Sequence, residues 1–232
     1  MDTEWALARE VRTRPLLHAL IIAVVAYLLG SIPFGYLLVR IFRGEDVRHT
    51  GSGNIGATNV ARTGSKGLAI TTLLLDALKG YVAVAHAFFF AGHHPTEVPD
   101  WGAHSVYQLA ALAGLCAIVG HMFPLWLRFK GGKGVATAVG AFLGIAPAAV
   151  AISLLLFVAI VAITRYVSLG SMVGSAVFPI AAWWLNPETR SPTVFALMSA
   201  SSLLIIIRHK DNIRRLMAGN ENRLGGGKTS AA

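Results

Sequence analysis

Residues 128–165 read RFKGGKGVATAVGAFLGIAPAAVAISLLLFVAIVAITR, and this stretch decides how the chain is organised. Basic side chains lie near both ends, and no charged residue occurs between Lys133 and Arg165. Positively charged loops of membrane proteins stay on the cytoplasmic side. The two basic ends can share one side only if the chain crosses the membrane twice between them. The stretch therefore predicts two short spans that meet in an external turn at Ala146 and Pro147.

The composition of the whole chain points to the same class of protein. Hydrophobic residues make up 55% and charged residues 13%, whereas a soluble domain carries roughly a quarter charged residues. In lipid every backbone polar group must be satisfied within the segment, so long apolar runs form helices. We predict an all-α integral membrane protein of about seven transmembrane helices, from apolar runs at 16–39, 68–91, 106–127, 135–146, 148–164, 169–185 and 193–207. The single cysteine, Cys116, excludes an intrachain disulfide.

The distribution of basic residues predicts the orientation. Most of the twenty Lys and Arg residues fall in four segments, at 40–66, 128–133, 165 and 208–228. With those segments inside, the N-terminus lies outside and the C-terminus in the cytoplasm. Three arginines near the N-terminus oppose this orientation, and three acidic residues there dilute their charge.

The chain is predicted to hold one folded unit. Residues 1–15 form an N-terminal extension, and 16–224 form a single seven-helix membrane domain. The small, polar segment 225–232 is predicted to be a disordered tail.

The first candidate binding segment is GSGNIGATNVAR at 51–62. Glycine reaches backbone conformations closed to other residues, so successive N–H groups can converge on one anion. Ser52 and Thr58 add hydroxyl donors, and Arg62 could pair bidentately with a phosphate or carboxylate. The alternative is a flexible Gly/Asn turn with no ligand.

The second candidate segment is FKGGKGVAT at 129–137. It runs into a predicted helix, whose first unpaired amides carry partial positive charge, and Lys133 adds a point charge. The spacing differs from G-x-x-x-x-G-K-[ST], so a nucleoside triphosphate site is not predicted. A positive-inside anchor would explain Lys130 but not three glycines.

Two further segments lie on the same predicted face. RYVSLGS at 165–171 joins one Arg to two hydroxyls, and a simple helix cap is its alternative reading. In RHKDNIRRL at 208–216, His209 and Asn212 would share one helix face, where they could bind and orient a hydroxyl. The alternative there is a basic anchor for lipid headgroups.

Charged residues also occur within a predicted span, in LLLDALKGYV at 73–82. Intramembrane charges are costly and are normally paired or functional. The three-residue spacing of Asp76 and Lys79 favours an ion pair that supports the fold. A proton or ion relay is the alternative. His121, near a helix end, is predicted to be a structural histidine.

Six blocks of the sequence together resemble one known family. They are YLLGSIPFGYLL, GSGNIGATNVART, LLLDALKG, GHMFPLWLRFKGGKGVAT, RYVSLGSM and HKDNIRRLMAGNENRL, in this order from about Tyr27 to Leu224. They are similar to the signature blocks of the bacterial membrane glycerol-3-phosphate acyltransferases that use acyl phosphate, the PlsY family. The resemblance implies transfer of a fatty acyl group from acyl phosphate to the C1 hydroxyl of glycerol 3-phosphate, giving 1-acyl-glycerol 3-phosphate and phosphate.

The resemblance also implies which residues form the site. Those expected to act in catalysis are Ser52, Arg62, Lys133, His209 and Asn212. Those expected to shape the loops or hold substrate phosphate are Gly53, Asn54, Gly56, Thr58, Asn59, Gly131, Gly132, Gly134, Ser168 and Ser171. Of the two serines in the turn, Ser171 is the preferred candidate. His209 and Asn212 would position glycerol 3-phosphate and orient the attacking hydroxyl.

The chemistry of the residues agrees with this implication. An acyl phosphate already carries a good leaving group, so orientation and charge stabilisation suffice. There is no G-x-S-x-G elbow for an acyl-serine route. We expect direct attack at the cytoplasmic face of the bacterial inner membrane, with no cofactor, no metal and no nucleic acid. Membrane lipid and an enzyme that produces acyl phosphate are the expected neighbours.

Two other functions compete with this interpretation. A transporter of an anionic phosphorylated metabolite would use Asp76, Lys79 and the short predicted spans. Such a protein should concentrate polar groups near the midplane, whereas most lie at one interface here. A scaffold that binds anionic lipid would need the basic residues but not the glycines of 131–134.

Overall fold

The computed structural model describes the backbone of residues 2–225 and the side chains of residues 14–225. Over this range the chain is helical and contains no strand. The α-helices are α1 Asp2–Gly30, α2 Phe34–Arg43, α3 Ala57–Val60, α4 Lys66–His93, α5 Ser105–Met122, α6 Val135–Leu143, α7 Pro147–Thr164, α8 Val167–Leu185, α9 Pro192–Arg208 and α10 Lys210–Met217. The predicted disordered tail falls almost entirely outside the described residues.

Several of these helices are long and apolar enough to cross a membrane. Among the described residues, five segments qualify, at Arg14–Arg43, Lys66–His93, Ser105–Leu127, Pro147–Thr164 and Val167–Leu185. A sixth is possible if α9 and α10, which are bent by 55° at their junction, form one span. The prediction of an all-α membrane protein is confirmed. The count of seven spans and the orientation of the termini stay predictions.

The first predicted span differs from a single straight helix. It divides into α1 and α2 at Ser31, Ile32 and Pro33. Proline has no N–H group and disfavours a helical conformation in the residue before it, which explains the break. Helix α1 also begins at Asp2, upstream of the predicted start at residue 16. The N-terminal extension is therefore continuous with the first span.

The predicted interruption near Pro147 is present. Helix α6 ends at Leu143 and α7 begins at Pro147. The first residue of a helix has no intrahelical acceptor for its N–H, so proline, which lacks an N–H, is well suited to this position. With nine residues, α6 is only about 13 Å long. It is much shorter than the roughly 20 residues that cross the hydrocarbon core of a bilayer in a straight helix.

Small residues bring the helices into close contact at Gly140 and Gly170, each of which is followed by a second glycine four residues later. A Cβ atom on Gly140 of α6 would overlap the carbonyl oxygen of Ala77 in α4. On α8, a Cβ atom on Gly170 would lie 3.0 Å from the carbonyl oxygen of Phe157 in α7. Both positions therefore require glycine for backbone approach.

A separate apolar cluster holds the loop between α2 and α4 against the helices. Its buried members are Val39, Val47, Ile55, Val60, Ala69 and Leu127. They come from α2, from the loop itself, from the first turn of α4 and from the segment after α5. Their burial fixes the position of the loop, and with it the positions of the polar residues at 51–62.

Candidate active site

Asn59 organises the loop at 51–62. Its buried side chain accepts hydrogen bonds from the Ser52 backbone N–H at 2.8 Å and from the Ser52 hydroxyl at 3.2 Å. Its amide nitrogen donates to the carbonyl oxygens of Val47, Thr50 and Asn54. One amide side chain thus ties four points of the loop together. Asparagine is suited to this because its side chain both donates and accepts.

The loop presents its remaining polar groups outward. Gly51 and Gly53 adopt left-handed backbone conformations, with φ of 57° and 68°. The side chain of Asn54 accepts from the N–H of Gly56 at 2.9 Å and closes a second turn. Thr58 and Arg62 are exposed. Among the described residues the Arg62 guanidinium makes no hydrogen bond or ion pair, so it is available to an anion.

The glycines at 131 and 132 have a steric role. The N–H of Gly131 donates to the carbonyl of Met122 at 3.1 Å, and that of Gly132 to the carbonyl of His121 at 3.0 Å. A Cβ atom on either glycine would overlap atoms of His121. Arg208 donates from its guanidinium to both glycine carbonyls, at 3.0 and 3.2 Å. These two amides are therefore occupied, and their glycines allow the loop to lie against the end of α5.

The anion-binding groups of this loop lie further along the chain. Gly134 has φ of 82° and precedes the first turn of α6. The first amides of that turn have no intrahelical acceptor. Lys133 stands directly before them, and its ammonium donates to Oδ1 of Asn212 at 2.6 Å. Lys133 is thereby joined to the segment that follows α9.

His209 lies at the junction of α9 and α10 and is 2% exposed. Its Nδ1 is 2.8 Å from the carbonyl oxygen of Ile205. Because a carbonyl can only accept, the proton of a neutral His209 resides on Nδ1, and Nε2 carries the lone pair. The imidazole also interacts electrostatically with the Lys133 ammonium. The bend places His209 and Asn212 beside Lys133, although one continuous helix does not carry both.

Glu221 completes this cluster. One carboxylate oxygen accepts from the Ser168 hydroxyl at 2.7 Å and from the Asn212 amide at 2.6 Å. The other accepts from Nε of Arg215 at 2.7 Å. Burial by itself would raise the pKa of Glu221, but these three donors outweigh it, and the net pKa is lowered. The carboxylate therefore stays ionised and fixes Asn212 from the side opposite Lys133.

The segment around Glu221 is tied down at its far end. The N–H of Leu224 donates to the carbonyl of Arg165 at 2.7 Å, and Nε of Arg165 donates back to the carbonyl of Leu224 at 2.9 Å. The basic turn at 165–171 thus meets the last described residues of the chain.

Lys133 has an altered acidity. Burial lowers its pKa to about 8, and the positive charges of Arg215, Arg62 and Arg208 act in the same direction. Glu221 opposes them. The effect of Arg62 shows that the loop at 51–62 contributes charge to the surroundings of Lys133. Near neutral pH the ammonium is still protonated, in a cluster rich in cations and suited to phosphate.

The two serines of the 165–171 turn separate. Ser168 is buried and bound to Glu221. The Ser171 hydroxyl donates to the carbonyl of Val167 in its own helix and lines an apolar cavity between α6, α7, α8 and α9. The stacked rings of Phe142 and Phe178, with centroids 4.5 Å apart, form part of the cavity wall. Ser168 is therefore the serine that belongs to the polar cluster.

Sequence reasoning missed Glu221 and the bridging role of Arg208. Glu221 is part of the block HKDNIRRLMAGNENRL. The available signal was an acid within an otherwise basic segment, which suggests a specific partner. Which cations it would meet depends on the return of the chain after α10, and no local pattern predicts that return.

Known proteins resemble this chain over most of its length. The family model described as glycerol-3-phosphate acyltransferase matches residues 20–219. A glycerol-3-phosphate acyltransferase of Rhodopseudomonas palustris is 48% identical over 87% of this chain and 94% of its own. One from Agrobacterium fabrum is 47% identical over 96% of this chain and 97% of its own.

Two solved structures share the fold. One is the crystal structure of PlsY (YgiH), an integral membrane glycerol 3-phosphate acyltransferase, in its glycerol 3-phosphate form. It has a TM-score of 0.74 and 36% identity, and the match covers 90% of this chain and 96% of that one. Its lysophosphatidic acid form has a TM-score of 0.71 and 34% identity, over 89% and 95% of the two chains. This multi-pass membrane protein belongs to the glycerol-3-phosphate acyltransferase family.

Proposed function

We propose that this enzyme transfers a fatty acyl group from acyl phosphate to the C1 hydroxyl of glycerol 3-phosphate, releasing 1-acyl-glycerol 3-phosphate and inorganic phosphate. The observation that carries the proposal is the convergence of Lys133, Ser168, His209 and Asn212 from three separate segments of the chain. Relatives and a solved neighbour named as glycerol-3-phosphate acyltransferases support glycerol 3-phosphate as the acceptor.

Phosphate is held by charge and by the loop backbones. Lys133 and the first amides of α6 supply one cationic site, and Arg62 supplies guanidinium donors on the neighbouring loop. The Ser52 hydroxyl in that loop donates to Asn59, a bond it would exchange for one to phosphate. Both substrates carry phosphate, so two sites rich in donors suit the reaction. Asn212, held between Lys133 and Glu221, keeps the ammonium in place without neutralising it.

The acyl transfer needs orientation more than activation. The C1 oxygen of glycerol 3-phosphate attacks the carbonyl carbon of acyl phosphate, the bond from that carbon to the phosphate oxygen breaks, and phosphate leaves. The hydroxyl proton passes to Nε2 of His209 or to the departing phosphate. Lys133, bound to Asn212, holds the phosphate of glycerol 3-phosphate, and Arg62 of the neighbouring loop stabilises the charge that develops on the leaving group.

The apolar cavity beside the cluster is suited to the acyl chain. It begins at Val135, one residue after Gly134, and Ser171 lies one helical turn from Ser168. Phe142, Phe157 and Phe178 supply apolar walls. A chain in this cavity would have its carbonyl end near the polar cluster and its methyl end among the membrane helices.

We further propose that the enzyme resides in the bacterial cytoplasmic membrane, with seven helices and with the active site on the cytoplasmic face. The positive-inside distribution of basic residues supports this orientation. Such a site would receive its donor from an enzyme that produces acyl phosphate.

Reconstitution tests the proposal directly. Purified protein in lipid, supplied with palmitoyl phosphate and glycerol 3-phosphate, should form lysophosphatidic acid and release phosphate, whereas palmitoyl-CoA should not replace the donor. Activity with palmitoyl-CoA alone would refute the donor assignment. Uptake of labelled glycerol 3-phosphate into proteoliposomes without acyl transfer would instead support a transporter.

A further inference from the structure

The charged residues inside α4 form more than an ion pair. Nζ of Lys79 lies 2.8 Å from Oδ1 of Asp76, and both side chains are only 3% exposed. Nζ of Lys79 also donates to the carbonyl of Ile32 at 2.8 Å. That carbonyl lies in the break between α1 and α2, where helical bonding is interrupted. Lys79 therefore joins α4 to the break and is neutralised by Asp76.

Asp76 in turn faces His121 of α5. Its Oδ1 lies 3.5 Å from Nδ1 of His121, an electrostatic contact without a well-directed hydrogen bond. His121 is 4% exposed. With Lys79 positive and Asp76 negative, a neutral imidazole leaves the cluster without net charge, as a buried site requires.

The opposite side of His121 meets the phosphate loop. The His121 carbonyl accepts the N–H of Gly132 at 3.0 Å, and a Cβ atom on Gly132 would overlap Nε2 of the ring. Gly132 immediately precedes Lys133. The ring that faces Asp76 therefore also bounds the backbone from which Lys133 extends.

A role in folding alone does not account for this arrangement. A buried ion pair contributes little net stability, and apolar residues of similar volume often replace it without loss. An ion pair would also need neither a histidine at its edge nor a glycine against that histidine. The geometry fits a support that sets the position of the loop.

We propose that Asp76, Lys79 and His121 are positioning residues, which hold the segment 131–134 so that the Lys133 ammonium meets Asn212 and substrate phosphate. The proposal rests on the proposed function of Lys133. It extends that function to side chains that touch neither substrate. A change in the cluster should move the loop and weaken the binding of the substrate that Lys133 holds.

The first test is Asp76→Asn, which keeps the shape and removes the charge. We expect the KM for glycerol 3-phosphate to rise by on the order of tenfold, because a small displacement of a binding group has large effects. The KM for palmitoyl phosphate and the kcat should change much less. The matched control is Thr72→Val, because Thr72 is buried one turn away and its hydroxyl donates to the carbonyl of Leu68 in its own helix.

The second test is His121→Asn, which remains informative if Asp76→Asn does not fold. The asparagine amide nitrogen can occupy the place of Nδ1 and face Asp76, but the part of the ring against Gly132 is lost. We expect the same selective rise in KM for glycerol 3-phosphate. The double variant should be no worse than either single variant, because both act through one contact.

The outcomes separate this proposal from the proposed function. Wild-type protein without acyl transfer would overturn the function itself. If the wild-type protein is active and both variants show an unchanged KM and only a lower melting temperature, the cluster only stabilises the fold, and the proposal is wrong. An equal rise in KM for both substrates, or additive effects in the double variant, would also overturn it.

Discussion

The ammonium of Lys133 donates a 2.6 Å hydrogen bond to Oδ1 of Asn212, which lies 79 positions later in the chain. The bond joins the glycine loop before α6 to the first turn of α10. Asn212 is itself held by Glu221, so the ammonium has a defined position while keeping its charge. The cation is thus oriented before substrate arrives, and less reorganisation is needed when phosphate binds.

Replacing Lys133 by Gln should reduce acyl transfer by roughly 10²- to 10³-fold, because the variant keeps a donor toward Asn212 but loses the charge that stabilises phosphate. The measurement is lysophosphatidic acid formation by protein reconstituted in lipid. Lys130→Gln is the matched control, since Lys130 is exposed in the same loop and makes no side-chain bond within the described residues. Equal losses in both variants would indicate a general electrostatic effect.

Replacing His209 by Asn should lower kcat by about 10²- to 10⁴-fold if Nε2 accepts the hydroxyl proton. Asparagine can still donate to the Ile205 carbonyl, so the junction of α9 and α10 should hold. The control is His93→Asn, because Nδ1 of His93 makes the same contact with a carbonyl four residues earlier, at 2.8 Å, but far from the site in sequence. A wild-type kcat in the His209 variant would assign the proton to the leaving phosphate.

The KM for glycerol 3-phosphate should rise as pH increases through about 8, where burial has placed the pKa of Lys133. Lys133 carries its positive charge below that pH and loses the proton, and with it the charge, above it. Phosphate binding therefore weakens as the solution becomes alkaline. Lys133→Arg should remove this alkaline limb, because a guanidinium keeps its proton. Titration of KM from pH 6 to 10, an interval of roughly two units either side of the pKa, tests both expectations. An alkaline limb unchanged in the Arg variant would assign it to another group.

Glu221→Gln should lower the melting temperature of the purified enzyme. Removing the carboxylate leaves Ser168, Asn212 and Arg215 with a weaker acceptor, at an expected cost of about 1–3 kcal/mol. Because Glu221 supports the charged form of Lys133, its loss should also shift the alkaline limb to lower pH. Asp211→Asn is the control, since Asp211 forms an exposed pair with Arg214 at 3.4 Å. If the alkaline rise in KM stays at the same pH in Glu221→Gln, Glu221 does not affect the charge of Lys133.

The site could be predicted best where the functional residues lie close together in one short segment of the sequence. Lys133 with its glycines, and His209 with Asn212, were predicted from local patterns and lie together in the structure. Asn59 was predicted to shape its loop, and it does so through five hydrogen bonds. The presence of the long helices could also be predicted from the sequence, because a long apolar segment in lipid has few alternatives to a helix.

Other features depended on which groups meet across the fold. The preference for Ser171 over Ser168 came from the family resemblance and stays a prediction, and only the return of Glu221 to α8 distinguishes the contacts of the two hydroxyls. The resemblance implied that the glycines at 131 and 132 help to hold substrate phosphate, and that role stays a prediction. Only the structure shows that their amides bind to the end of α5, because the loop folds back against His121.

The sequence by itself determined that the chain is a helical membrane protein with cationic, glycine-rich loops, because hydrophobicity and charge act residue by residue on the choice between lipid and water. The tertiary structure alone decided that Asp76 reaches His121, that His121 bounds Gly132, and that Glu221 fixes Asn212. Such contacts join residues distant in the chain. Their partners follow from how helices pack and where loops return, and these are properties of the whole fold rather than of any local pattern.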